Sequence, residues 1–451
     1  MATPPKMPFP THDYPDERTR EQRQRERREV VKQAASLLRL ATDDAERRRI
    51  VGRIRERRAG APRSVQVELV PRADGPDLVA ASGRLLIRER DLAANREVLR
   101  RLGITEAGRT GNVTLLDVPA GAAPDGIAAL AARIRKDGAP VSVDHVAPLG
   151  AWMKGEGGPE PTTGARRFPA VEFPQKSPPP AIAVLDSGIS NAGRTDGYLG
   201  ANIAPADVDP LDIFPTLGLL DADAGHGSSV VGIVQQVVPP AAIGSYRVAD
   251  SDGITTSFDV ADKMRLAVRQ GAMILNLSLG TATEDGNPPI ALQDVVDELL
   301  QDNPEVLIVC AAGNDASTTK VWPAAFAETH PNVVAVAALD AAGAPAPWSS
   351  HGRWVTCSTI GEGVASTYVV GTEDGPLIGD PTPDTFHPPN PWAVWSGTSF
   401  AAPQIAGAVA RICSQNVGVG PRQALKLLEA DATPAAAGSP YGWTVEILPG
   451  T

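Results

Sequence analysis

Five short apolar runs, set between segments of helical character, constrain this chain more than any other feature of its sequence. Residues 181–185, 243–246, 273–277, 306–310 and 333–337 are rich in Val, Ile and Ala, with almost no polar alternation. A strand that alternates buries one face, whereas one that is apolar throughout is buried on both. Helical segments at 257–270 and 292–301 lie between the runs. The pattern predicts an α/β fold, a doubly wound and mainly parallel sheet with helices on both faces. Aromatic content is only 4 %, so Ala and Gly must do much of the packing.

Polar residues stand out where those runs end. Asp186 follows the run 181–185 and precedes Ser187-Gly188. That puts it at the carboxyl end of a buried strand, where ligand and catalytic groups of open α/β sheets gather. His226 lies between Gly225 and Gly227, ahead of a small apolar stretch that reads as a tightly packed helix. Ser399 sits in Trp395-Ser-Gly-Thr-Ser-Phe-Ala-Ala-Pro403, which suits a hydroxyl at the tip of a buried helix, facing a cleft. Asn314 follows Ala311-Ala312-Gly313, and an amide beside a glycine turn can donate to an oxyanion without carrying charge. Singly, each has an ordinary explanation as a turn residue, a structural histidine or a helix cap. In the order Asp, His, Ser they match one known layout of orienter, base and nucleophile.

Taken together, residues 181–413 resemble the subtilisin-like serine protease (subtilase) family. The resemblance implies an acyl-enzyme on Ser399, with His226 as base, Asp186 as its orienter and Asn314 as oxyanion donor. Asn276-Leu-Ser-Leu-Gly280 is similar to the family strand that pairs with an extended substrate, so Ser278, Leu279 and Gly280 are expected at the substrate edge. Ala311, Ala312 and Gly313 would line the other wall of the S1 pocket. Val321 stands where the family commonly has glycine, which implies a shallow pocket for small or medium apolar P1 side chains. Asn314 separates the chain from the sedolisins, which place an Asp there. Ser229 and Gln404 occupy positions where the family often has His, and neither belongs to the triad. The stretch 237–242 is too short for the family's calcium loop, and neither metal nor cofactor is expected. Residues 372–392, with six prolines, form an insertion that could overhang the cleft. Asp207, Asp209, Asp212, Asp221 and Asp223 read as a solvated acidic loop. Two other functions fit the fold: a catalytically silent peptide-binding or scaffold module, and an acyl-transferring peptide maturation enzyme.

The N-terminal part reads differently. Residues 1–60 carry sixteen Lys or Arg against ten Asp or Glu, in a chain of net charge −11. They read as a helical hairpin broken near Thr42, able to dock on its own acidic body or on an acidic protein partner. Strands at 78–88, 112–118 and 141–146, with helices at 92–102 and 126–136, make residues 61–150 a small α/β domain. It resembles the subtilisin propeptide, which is ferredoxin-like, and 143–150 is similar to the end of that propeptide. Residues 151–180 read as a Pro/Gly-rich linker and 181–451 as the peptidase domain. The expectation is a self-inhibited zymogen that cuts itself between about Leu149 and Lys176, most simply after Gly150. Overall acidity argues against nucleic-acid binding, and no run of about 18 apolar residues is present to span a membrane. The three cysteines show no paired spacing, and the N-terminus lacks an apolar signal core, so a cytoplasmic protease acting on a dedicated protein is expected.

Overall fold

The first elements of the chain are two helices, α1 (Arg20–Thr42) and α2 (Asp44–Arg58). The computed structural model describes residues 18–61, 64–72, 77–149, 158–162, 175–200, 202–239, 241–378 and 382–451. Asp43 explains the break between the helices. Its carboxylate accepts from the N–H groups of Ala45 and Glu46 at 3.0 and 3.1 Å, satisfying donors that a new helix leaves open.

The next segment contains β1 (Val67–Val70), β2 (Leu78–Arg88), α3 (Glu89–Arg101), β3 (Thr105–Thr110), β4 (Val113–Asp117), α4 (Ile127–Lys136) and β5 (Ser142–His145). From β2 onward the order is βαββαβ, and β2 pairs antiparallel with both β4 and β5 while β3 pairs with β4. This is the ferredoxin-like arrangement, extended by β1 along β2. Sequence reading missed β3, because Thr-Glu-Ala-Gly-Arg-Thr has no apolar alternation and only pairing with β4 makes it a strand. Neither face of the sheet is left to solvent. Leu85 and Ile87 pack with the domain's own helices, while Leu86, Val113 and Leu115 join an apolar cluster of the following domain.

That following domain begins with β6 (Glu160–Thr162), β7 (Ile182–Asp186), β8 (Ile203–Ala206), α5 (His226–Val237) and β9 (Ile243–Arg247). It continues with α6 (Ser257–Arg269), β10 (Ile274–Leu277), α7 (Ile290–Asp302), β11 (Leu307–Ala311), β12 (Val333–Leu339) and β13 (Cys357–Ile360). Then come β14 (Val364–Thr367), β15 (Gly371–Thr372), α8 (Gly375–Ile378), β16 (Thr385–Phe386) and β17 (Trp392–Trp395). Helices α9 (Thr398–Gln415) and α10 (Pro421–Asp431) and strand β18 (Trp443–Thr444) complete it. Eight strands form one parallel sheet in the order β18-β13-β12-β11-β10-β7-β9-β8. One apolar cluster joins α5, α9 and α10 to one face, and another joins α6 and α7 to the opposite face. The doubly wound expectation therefore holds. Small residues let α5 and α9 approach closely: a Cβ at Gly407 would lie 2.8 Å from Val237 Cβ.

Two expectations need correction, and the proline-rich insertion finds a partner. Part of the supposed linker is sheet, since β6 pairs antiparallel with β17, which pairs in turn with β14. The insertion at 372–392 supports α2, which donates from Arg53 to the Pro376 carbonyl and from Arg57 to Asp374 at 3.1 Å. The acidic loop is not solvated, because Asp209, Asp221 and Asp223 are buried. Loop folding consumes such carboxylates: Asp209 accepts from Leu211 N–H and Asp221 from Ile213 N–H. Among the described residues no group of three or more His, Cys, Asp or Glu is arranged to hold a metal ion. No helix among them is long and apolar enough to cross a membrane. The three cysteines are buried and free, and burial pushes the Cys413 thiol up to about 12.

The loops carrying Asp186 and His226 interlock through glycine. A Cβ at Gly227 would stand 2.1 Å from the Gly188 carbonyl oxygen, which is backbone and cannot swing aside. Gly227→Ala should therefore cost about 3 kcal/mol, the upper end for overpacking. Urea denaturation measures it, and a variant as stable as wild type would mean that the two loops are not interlocked.

Candidate active site

In the parallel sheet β7 and β10 run side by side, and their connections leave in opposite directions, toward β8 at one edge and toward β11 on the other side. Asp186 is the last residue of β7, and Ser278 follows the last residue of β10. Asp186 Oδ1 accepts from its neighbour Ser187 N–H at 2.8 Å and from His226 Nδ1 at 2.8 Å. A carboxylate can only accept, so Nδ1 carries the hydrogen and Nε2 is the basic nitrogen of the neutral ring. His226 opens α5, behind Gly225 in the left-handed region at φ 80°. Its ring lies edge-on to Trp395 and tilted against Phe400, both 5.4 Å between centroids.

A residue outside the expected set fixes this turn. Asp209 Oδ2 accepts from the Ser187 hydroxyl and from Gly225 N–H, each at 2.9 Å, and the Ser187 oxygen accepts from Gly227 N–H at 3.1 Å. One buried carboxyl thus ties the Asp186 loop to both glycines flanking His226. Burial pushes its pKa up to about 6, against the pull of those same donors. The sequence signal was present in the run of aspartates, but spacing could not single out the member that ties the two loops together.

Ser399 lies in the first turn of α9, where backbone N–H groups have no partner within the helix. Its hydroxyl donates to the Ser278 carbonyl at 3.3 Å, and its own carbonyl accepts from the Ser278 hydroxyl at 2.9 Å. Asn314 is oriented by Thr398, which sequence reading also missed. The Thr398 N–H and hydroxyl both donate to Asn314 Oδ1 at 3.0 Å. Because a backbone N–H can only donate, the amide cannot be flipped, and Nδ2 is left buried without an acceptor among the described residues. It is a ready donor for an oxyanion beside the Ser399 N–H.

Two backbone edges bound a groove beside these groups: residues 278–280 and residues 253–256, the latter not identified from the sequence. The chain's own segment 146–149 runs between them as a third strand. Leu149 bridges Leu279 and Val146 bridges Thr256, both antiparallel. Gly280 N–H donates to the Pro148 carbonyl at 3.3 Å, Ala147 N–H to Thr255 O at 3.0 Å and Leu149 N–H to Gly253 O at 3.0 Å. The strand before it is anchored too. Asp144 accepts from the Ser257 hydroxyl at 2.9 Å and from Phe258 N–H at 3.2 Å, capping α6 from another domain. Burial pushes that carboxyl up to about 6. His145 lies 2.7 Å from Glu284, and this hydrogen bond holds the Glu284 carboxyl down at about 2.

A residual cavity of about 60 Å³ remains beneath the groove, lined by Ser278, Gly280, Ala311, Gly313 and Val321. Val321 wedges between the glycine walls: a Cβ on Gly280 would meet its Cγ1 at 2.5 Å and one on Gly313 its Cγ2 at 3.3 Å. Ala312 departs from expectation, because its methyl packs into the core on the α6–α7 side of the sheet. Successive residues at a strand end point to opposite faces, so Ala311 and Ala312 cannot both face the cavity.

Residues 179–444, well over half of the chain, match the subtilase family. Among similar curated proteins is a thermophilic serine proteinase from Bacillus sp. (strain AK1), 30% identical over 241 residues. That match covers 52% of each chain, so it spans about half the relative's length. Subtilisin from Bacillus pumilus is 26% identical over 271 residues, covering 58% of this chain and 86% of that protein. Among solved structures, a cold adapted subtilisin-like serine proteinase is 21% identical with a TM-score of 0.45, covering 64% of this chain and 94% of that one. With the family match spanning the whole parallel sheet and every residue of the Asp–His–Ser set, this chain belongs to the subtilase family.

Proposed function

We propose that the chain is a serine endopeptidase, made as a self-inhibited zymogen that cuts itself and then acts on a dedicated intracellular protein. One observation carries the reading. The segment 146–149 lies in the groove as an extended substrate would, hydrogen-bonded to both edges. Leu149, the last described residue before the expected cut, pairs with Leu279, and the carbonyl of the adjacent Ser278 lies 3.3 Å from the Ser399 hydroxyl. Residues 150–157 and 163–174 lie outside the described residues, so the expected cut after Gly150 rests on this register. Glycine at that point also suits a pocket floored by Val321.

In the proposed reaction Ser399 Oγ attacks the carbonyl while His226 Nε2 takes its proton, and Asp186 holds Nδ1–H and stabilises the imidazolium. Asn314 Nδ2 and Ser399 N–H receive the oxyanion. The imidazolium returns its proton to the leaving amine, and water, deprotonated by the same nitrogen, releases the acyl group. A silent peptide-binding module has no use for an amide held with its donor unspent, so the oriented Asn314 favours catalysis. The domain at 61–150 would act as inhibitor and folding partner in this scheme. Three buried, unpaired thiols suit the reducing interior of a cell.

Intact mass of purified protein tests the processing. Wild type should yield fragments cut between 149 and 176, foremost after Gly150, and Ser399→Ala should stay at full length. Identical fragments from both would assign the nicking to other proteases. Asn314→Ala should lower kcat about 10²- to 10³-fold with little change in KM, as loss of one oxyanion donor does. A loss appearing only in KM would remove Asn314 from that role. Cleavage of peptides varied only at P1 reports on Val321: wild type should favour Ala, Val or Leu over Phe by roughly 10–200-fold, and Val321→Gly should gain on Phe. Should wild type prefer Phe, Val321 does not floor the pocket.

A further inference from the structure

The α1–α2 hairpin lies across the groove and grips the chain on both sides of residues 150–157. Upstream, Val51 and Ile54 of α2 form one buried cluster with Val146 of the inserted segment and Ile254 of the groove edge. Ile50 and Pro148 line the same cavity as Val321, and so do Leu40 and Ala41 at the end of α1. Downstream, the buried Gln33 of α1 donates to the Gly158 carbonyl at 2.7 Å and to Val394 O at 3.1 Å. Its Oε1 accepts from the Ser396 hydroxyl at 2.6 Å, on the segment leading into Ser399. Glu26 of α1 is buried and accepts from the Thr162 hydroxyl at 2.8 Å.

Charge fastens the hairpin to the peptidase domain itself. Arg57 meets Asp221 at 2.6 Å, Asp374 at 3.1 Å and Asp252 at 3.4 Å. Fully buried Arg58 pairs with Asp250 at 2.6 Å and donates to the Val65 carbonyl at 2.7 Å. Arg47 pairs with Asp315, beside Asn314, at 2.9 Å. The pairs of Arg57 and Arg58 are buried, and such pairs are hard to open one at a time, because each leaves a charge without its partner. The acidic surface that these arginines meet is the chain's own.

We infer that the hairpin is a second lock on the active site, separate from the inserted segment 146–149. After a cut within 150–157, residues 146–149 remain held under α2 and Gly158 remains held by α1, so cleavage alone opens nothing. The cleft becomes accessible only when the hairpin is displaced or removed. This inference rests on the protease reading above.

The test follows fluorophosphonate labelling of Ser399 in the full chain, for variants that unseat each lock. Leu149→Glu places a charge in the inserted segment, and Ile54→Glu places one beneath α2. Since labelling scales with the open fraction, Leu149→Glu alone should stay within about threefold of wild type, and the double variant should label at least about tenfold faster. Equal labelling of Leu149→Glu and the double variant overturns the lock. Thermal melting checks that each variant is folded. If Ile54→Glu does not fold, Gln33→Ala, which only removes the α1 clasp, takes its place and must speed labelling in the same background. Failure of every folded variant to label above the Ser399→Ala background sinks the protease reading, and the lock with it.

Discussion

The adjacency of β7 and β10 is the constraint on which the site depends. Their connections leave in opposite directions, so the sheet opens a crevice at their carboxyl ends, and Asp186 and Ser278 both stand there. The other groups are brought to that point by helices on one face. Helix α5 delivers His226 at its first residue, and α9 delivers Ser399 in its first turn. Both helices are buried along their length, which demands small residues, Gly and Ser in α5 and chiefly Ala in α9. A bulkier α9 would hold Ser399 away from the Ser278 carbonyl.

Around that geometry the chain invests buried polar groups in orientation. Asp209 ties the Asp186 loop to the His226 turn, and Thr398 uses up the acceptor of Asn314 so that only its donor is left. Thr398 borders the cavity beside Asn314, whereas Asp209 sits behind the His226 turn. Each removes a rotational freedom that a reaction would otherwise have to restrict, and pre-set groups of this kind need no reorganisation when charge develops. Glycine does the same for the backbone, since Gly227 lets the two loops approach to a distance that no side chain allows.

The N-terminal third is bound to the rest by backbone and by charge in different places. The ferredoxin-like domain presents a sheet face to α6 and α7 and extends its last strand into the groove, where hydrogen bonds to both edges are independent of side-chain identity. The hairpin instead uses arginines against aspartates that come from separate loops, Asp221, Asp250 with Asp252, and Asp374. The uneven charge along the chain is therefore complementary within one molecule.

Apolar runs buried on both faces have few other uses, so the α/β layering and five of the eight strands of the parallel sheet could be read from the sequence, which also picked out Asp186, His226 and Ser399 as candidates. Strand limits for β2 and helix limits for α6 were legible to within a residue for the same reason. Tertiary structure alone decided what depends on pairing between distant segments. β3 and β6 have no apolar pattern and exist only because a neighbour offers hydrogen bonds. Asp209 and Thr398 acquire their roles from partners far away in the chain, and Ala312 turns inward because adjacent residues of a strand face opposite ways. The seat of the hairpin was equally hidden, since a run of arginines announces a charge but not which carboxylates will meet it.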